Sequence, residues 1–437
     1  MGEAAEDGER LMGADAGGTR PQAHPDWPAR LDRPKTHEEA MIGRASPEAI
    51  EIYQRLKTVI MAPEFMDEFM SSILWPHGWD MGTPLTQEQQ DWLLRHQGVI
   101  EDLMALAAAG GMPGMSFEET LALLKHDGSG FQDLMNVPVP DFLFAQTCAR
   151  MLTLESQRLR EGGDMARAAE VLLAIAPLAG SIREPTLIGH LVGVAMQRMA
   201  TTGAAQWLEA GSMPPEVARQ LRAGFGNSGL DLENLHHALQ LEYLCNRTGA
   251  VMLVNAPLLS VFRQTMNDPT YQGPWQKDNF LEQIGFMGNR LIKNPLGTFG
   301  GAWKAVVLRV NADGEINKLD QFWERKLDRI AAGDIEAIDW SPYQSYLSPP
   351  DFTSEAVRTA VSQARVNLVR AGLDHLLGQP SDAMDPFTGE PLRVIERDSE
   401  TLIYSLGPDR TDHHGEIQYD PRNGTFSAGD IFIRIGR

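Results

Sequence analysis

Apolar residues recur at three- and four-residue spacing over most of this chain and alternate with polar ones only near its end. The strongest helical periodicity runs from Phe142 to Met199. It predicts three helices joined by tight turns: FLFAQTCARMLTLESQRLR, MARAAEVLLAIAPLA and PTLIGHLVGVAMQRMA. Phe144, Cys148, Met151, Leu152 and Leu159 share a face of the first. Val171, Leu172, Ile175 and Ala179 line the second, and Leu187, Leu191, Val194, Ala195 and Met199 the third. Gly162-Gly163-Asp164 supplies the turn between the first two.

The flanks read in the same way. Ser46 and Pro47 open a helix, SPEAIEIYQRLKTVI. Thr86 opens another, TQEQQDWLLRHQGVIEDLMALAAAG, read as one element stopped by Gly110-Gly111. Ser116 begins a third, with Glu118 and Glu119 in its first turn, and a proline-rich linker follows from Asn136 to Pro140. Later helices start at Pro214-Pro215, Asp231, Ile316 and Thr353. The last carries Val357, Val361, Ala364, Leu368 and Ala371 in heptad spacing. Trp75 to Trp79 is a turn-rich aromatic patch, residues 264–302 are rich in Gly and Asn, and Trp340 to Asp351 is a linker. After Pro380, LRVIERD, ETLIYSLG and DIFIRI are short β-prone runs separated by turn residues. The expected organisation is a disordered or extended segment over 1–40, a helical array over 41–380 and a small antiparallel β module over 381–437. The fold class is mainly α. The hairpin at Gly162 resembles those of tetratricopeptide proteins, but no strict period of roughly 34 residues is present, so the array is irregular.

Composition narrows the function. The chain is 43% apolar, enough for a sizeable core, and carries 59 acidic against 38 basic residues, a net charge of −21. Such a surface repels phosphate backbones and anionic lipid, which argues against nucleic-acid or membrane-surface binding. Cys148 and Cys245, both at apolar helical positions, make neither a zinc motif nor a disulfide framework. The longest nearly uncharged run, Ala250 to Phe262, is too short to span a bilayer and contains Pro257, so no transmembrane span is expected. The compartment stays open: extracytoplasmic if an export signal has been removed, cytoplasmic otherwise.

Candidate chemistry is sparse. Asp385-Pro386-Phe387, Gly389, Pro391-Leu392, Tyr404 to Asp409 and Gly429-Asp430-Ile431 follow an order that resembles the C-terminal end of the major pseudopilins of type II secretion systems. That likeness covers about the last 50 residues. It implies a calcium site with a backbone carbonyl from Leu406 and carboxylates from Asp409 and Asp430, Asp412 and Asp420 lying on the same loop; calcium favours such flexible oxygen-rich loops. His413-His414 and a longer insert depart from the family pattern, and the hydrophobic pilin helix is not in this sequence. The central helices, with EPTLI followed by LV, also resemble uncharacterised bacterial helical-array proteins of no known activity.

Asn311 to Asp320 imitates a calcium-binding helix–loop–helix, but Arg309 holds the first ligand position, so a plain Asp-Gly turn before a helix is the better reading. Glu155 and His190 fall on apolar helix faces. They form either an acid/base pair or a buried polar network fixing helix register, with Arg183 or His190 as the partner for Glu155. His236, His237 and Glu242 place imidazole and carboxylate on neighbouring turns without the spacing of a zinc helix. No nucleophile elbow, phosphate loop or dinucleotide fingerprint occurs. The leading expectation is a non-enzymatic helical scaffold for a protein partner or self-association, of the cell envelope if the pseudopilin likeness holds. The alternatives are a metal-assisted hydrolase using Glu155, His190 or the His236/His237 pair, and a structural subunit of a larger assembly.

Overall fold

The computed structural model describes residues 46–74, 83–113, 141–182, 187–211, 213–225, 230, 235–236, 238–239, 242–243, 312–331, 353–397 and 399–436. Outside them lie the 1–40 segment, the Trp75–Trp79 patch, the Ser116 helix, the 136–140, 264–302 and 340–351 stretches, the Ala250–Phe262 run, and Arg183, His237, Cys245, Arg309 and Asn311.

Ser46 caps helix α1 (Pro47–Ile60), its hydroxyl accepting from the Ala49 N–H at 3.1 Å. Pro47 sits in the first turn, where no helical N–H partner is lost. The short α2 (Pro63–Glu68) runs into a π turn, Phe69–Leu74. The stretch after Thr86 is two helices rather than one, α3 (Gln87–Arg95) and α4 (Gln97–Ala108). Thr86 and Gln89 cap α3 reciprocally. His96 makes the break at φ −103°, ψ 20°, its Nδ1 2.9 Å from the Trp92 carbonyl and its ring 4.2 Å from the Trp92 ring. Phe65 and Phe69 close this aromatic cluster.

Helix α5 (Phe142–Glu161), capped by Asp141, is the hub. It is buried on almost every side and packs against α1, α3, α4, α6 (Met165–Leu173), α7 (Ile175–Ile182) and α8 (Leu187–Glu209). Gly163, at φ +85°, makes the turn into α6, and the Asp164 carboxylate caps α6 by accepting from the Arg167 N–H at 3.1 Å. The second helix of the sequence reading is split at Ala174, and the third continues well past Met199. Met165–Ile182, mean hydropathy 1.5, is by length and composition alone apolar enough to cross a membrane, a span the sequence reading did not single out. Here half of it is buried, with Val171, Leu172, Ile175 and Leu178 in the core.

Helix α9 (Pro215–Phe225) packs on α6 and on α11 (Thr353–Leu376). Arg222 reaches across to Asp374 of α11 at 2.6 Å. In α10 (Ala312–Ala331), Asp313-Gly314 lies inside the first helical turn and not in a turn before it. Asp320, the last position of the calcium-like spacing, accepts from the Tyr243 hydroxyl at 2.8 Å.

The chain ends in an antiparallel sheet of order β1 (Arg393–Glu396), β2 (Glu400–Ser405), β3 (Ile431–Gly436). One face, with Ile403, Ile431, Ile433 and Ile435, joins the helical core; the other buries Leu402, Tyr404 and Leu406 beneath the 407–430 loop. The sheet therefore shares its core with α8 and α11. Gly372 permits that packing: a Cβ there would stand 2.6 Å from Ile433 Cδ1 and 2.9 Å from Leu208 Cδ1.

Candidate functional site: a cationic cleft

Helices α8 and α11 lie side by side, stitched by buried polar pairs. His190 Nε2 is 2.9 Å from Thr359 Oγ1, and the Ser362 hydroxyl donates to Gln197 Oε1 at 3.1 Å. Beside this seam, with Ser362 belonging to both, the two helices open into a cavity of about 600 Å³. Helix α8 contributes Leu191, Val194, Ala195, Arg198, Met199, Thr202 and Gln206, a single stripe at helical spacing. Helix α11 contributes Arg358, Val361, Ser362 and Arg365, and the C-terminal loop closes one end with Tyr419 and Pro421. A second lobe of about 230 Å³ runs on between the helices and β3, lined by Leu368, Val369, Ile431 and Ile433. Arg198, Thr202, Arg365 and Tyr419 border both lobes.

The electrostatics are unusual for so acidic a chain. Arg365 is largely buried, and among the described residues the guanidinium of neither Arg365 nor Arg198 makes a hydrogen bond or ion pair. Burial first, and then the like charge of Arg198, push the Arg365 guanidinium down to about 10, with Tyr419 working the other way. Burial raises the Tyr419 hydroxyl, against the pull of Arg365, Arg198 and Arg358, so all three cations act on one point. The adjacent acid, Asp420, is held by the Arg422 guanidinium and N–H, the main causes that lower its pKa, and the charge of Arg198 adds a smaller pull in the same direction. Arg358 has only a 4.0 Å approach to Glu355.

The C-terminal loop sits behind Tyr419 and holds it in place. Buried Asp430 accepts from the Gly415 N–H at 2.8 Å and the His413 N–H at 3.5 Å, and burial raises its pKa. Its backbone pairs with Ile417 and Tyr419, pinning Tyr419 beside β3. Gly429, at φ +125°, leaves room for that pairing: a Cβ there would stand 2.7 Å from the Tyr419 nitrogen. The Tyr419 hydroxyl donates to the Thr425 carbonyl at 3.1 Å. Asp409 is 2.9 Å from His413 Nε2 and accepts from the Gly429 N–H at 3.2 Å. Asp412 meets Arg393, the Tyr404 hydroxyl and the His414 N–H; burial opposes these contacts, but together they lower its pKa. The N–H of Leu406 donates to Asp385 at 2.9 Å. No group of three or more His, Cys, Asp or Glu placed for a metal ion occurs among the described residues. Asp409, Asp412, Asp420 and Asp430 each have hydrogen-bonding partners within the C-terminal module.

The other candidates are also held by partners. Glu155, 1% exposed, is gripped by the Arg158 guanidinium through two hydrogen bonds of 2.8 Å, so among the described residues its partner is Arg158 and not His190; Arg183 lies outside them. His190 belongs to the α8–α11 seam. Burial raises the Glu242 pKa, and its carboxylate is turned to the Leu187 N–H at the start of α8. Cys148 is a buried free thiol whose pKa burial pushes well above its usual range.

No family model, curated protein or solved structure matches the chain. The site therefore has to be read from its own chemistry. The cleft was missed in the sequence because its two stripes lie far apart along the chain. The available signal was Arg365, set between Val361 and Leu368 on the apolar stripe of α11.

Proposed function

We propose that this chain is a non-enzymatic binding protein: a helical scaffold with tetratricopeptide-like hairpins whose recognition surface is the cleft between α8, α11 and the C-terminal loop. The observation that carries this reading is Arg365, a largely buried guanidinium facing a cavity with no carboxylate to pair with. A buried cation without a partner is costly, and an anion bound from outside relieves that cost. The lining offers cations, hydroxyls and apolar walls, and among its residues there is no carboxylate, histidine or cysteine to act as base or nucleophile. Hairpin packing supports the scaffold: the Ser156 hydroxyl of α5 donates to the Ala168 carbonyl of α6 at 2.9 Å.

A polyglutamate probe tests the reading. It is expected to raise the melting temperature of the purified protein, because a ligand that binds only the folded state must do so. The rise is expected to vanish in Arg198→Glu/Arg365→Glu. Ester or phosphoester hydrolysis lost in Glu155→Gln or His190→Ala would overturn the proposal in favour of a hydrolase.

A further inference from the structure

We infer that the occupant of the cleft is a small amphiphilic acid, one oxyanion head carrying an unbranched apolar tail. This rests on the binding reading above and adds the chemistry of the ligand. The head belongs at the junction of the two lobes, which Arg198, Arg365 and Tyr419 all border. Guanidinium forks suit a planar carboxylate, which accepts two parallel N–H donors. The tail belongs along the larger lobe, where Leu191, Val194 and Val361 form an apolar wall on two helices. About 600 Å³ is within the range of small-molecule sites. A bare anion would leave that wall wet, and a neutral lipid would leave Arg365 unpaired.

The test is calorimetry of the full chain with acetate, hexanoate, decanoate and decanol. Decanoate is expected to bind at one site per chain. Affinity is expected to rise roughly threefold to fourfold per methylene along the acid series, the gain from burying a CH₂. Decanol is expected to bind at least about tenfold more weakly, and Arg365→Gln to reduce decanoate affinity by at least about tenfold, the loss of a charged hydrogen-bonding partner. Thermal melting shows whether Arg365→Gln is folded, and Arg198→Gln supplies an independent variant. Equal binding of acetate and decanoate, or of decanol and decanoate, would overturn the inference, as would wild-type affinity in both variants. Binding of polyglutamate but not decanoate, lost in Arg365→Gln, would overturn the amphiphile and leave the binding reading standing. Binding of neither probe would overturn both.

Discussion

A buried carboxylate and a largely buried guanidinium in this chain are treated in opposite ways. Asp385, 3% exposed, accepts from the Phe387 N–H at 2.9 Å, the Ser405 hydroxyl at 2.8 Å and the Leu406 N–H at 2.9 Å. Arg365 has no such partners in the described structure. A charge with every donor supplied ties one segment to another: Asp385 fastens the turn after α11 to the end of β2. A charge left without them costs stability and is retained where something else uses it. The difference separates structural from functional candidates without any appeal to relatives.

The largest expected effect lies on the structural side. Asp385→Ala strands three donors in a buried place and is expected to cost roughly 3 kcal/mol or more, each unsatisfied donor contributing about 1 to 3. Urea unfolding measures it; a loss within about 0.5 kcal/mol would mean that the carboxylate is not the fastener. Arg158→Ala comes next, at about 2 kcal/mol, because it leaves Glu155 buried without its partner. Replacing both residues by leucine is expected to recover most of that loss, as apolar replacements of buried pairs often do.

Arg365→Met is expected to act in the other direction. The folded-state pKa is lowered to about 10 from 12.5, so the folded chain disfavours the cation. Both states are protonated at neutral pH, where the penalty is fully present; it is relieved only as pH rises above 10. At 1.36 kcal/mol per pH unit the ceiling is roughly 3 kcal/mol. Residual solvent access brings the expected gain to about 1–2 kcal/mol, read as a higher melting temperature. A lower one would place Arg365 with the structural charges and remove the contrast with Asp385.

These examples also mark what the sequence made legible. Caps and periodicity were local signals, so Ser46, Thr86, the Gly162-Gly163 turn and the strand pattern after Pro380 located most of the elements. The breaks at His96 and Ala174 were not legible: His96 is held by its stacking on Trp92, and Ala174 is an ordinary helix former. Asp385 and Asp430 stood out by motif, but whether a carboxylate faces a metal or a backbone N–H depends on chain path. The cleft pairs residues 191–206 with 358–365 and 419–421, and no local pattern encodes that meeting.

The smallest expected effect concerns the loop behind Tyr419. The hydrogen bond from His413 to Asp409 comes first among the causes that raise the His413 pKa, and the charges of Asp430 and Asp412 add to it. A histidine raised in the folded state contributes stability that is fully present below its unfolded value near 6.5 and lost as pH rises through the folded value. Asp430, raised by burial, also favours the protonated fold, but its window begins near 3.8, well below. Between pH 6 and 8, roughly the histidine range, the melting temperature is therefore expected to fall slightly in the wild type. It is expected to stay level in His413→Gln. Excess calcium is expected to leave both curves in place, because Asp409 and Asp430 are already engaged by His413, Gly415 and Gly429. A calcium-induced rise lost in Asp409→Ala would instead mean that the metal displaces His413. The loop would then belong, with Arg365, among the charges held for a ligand.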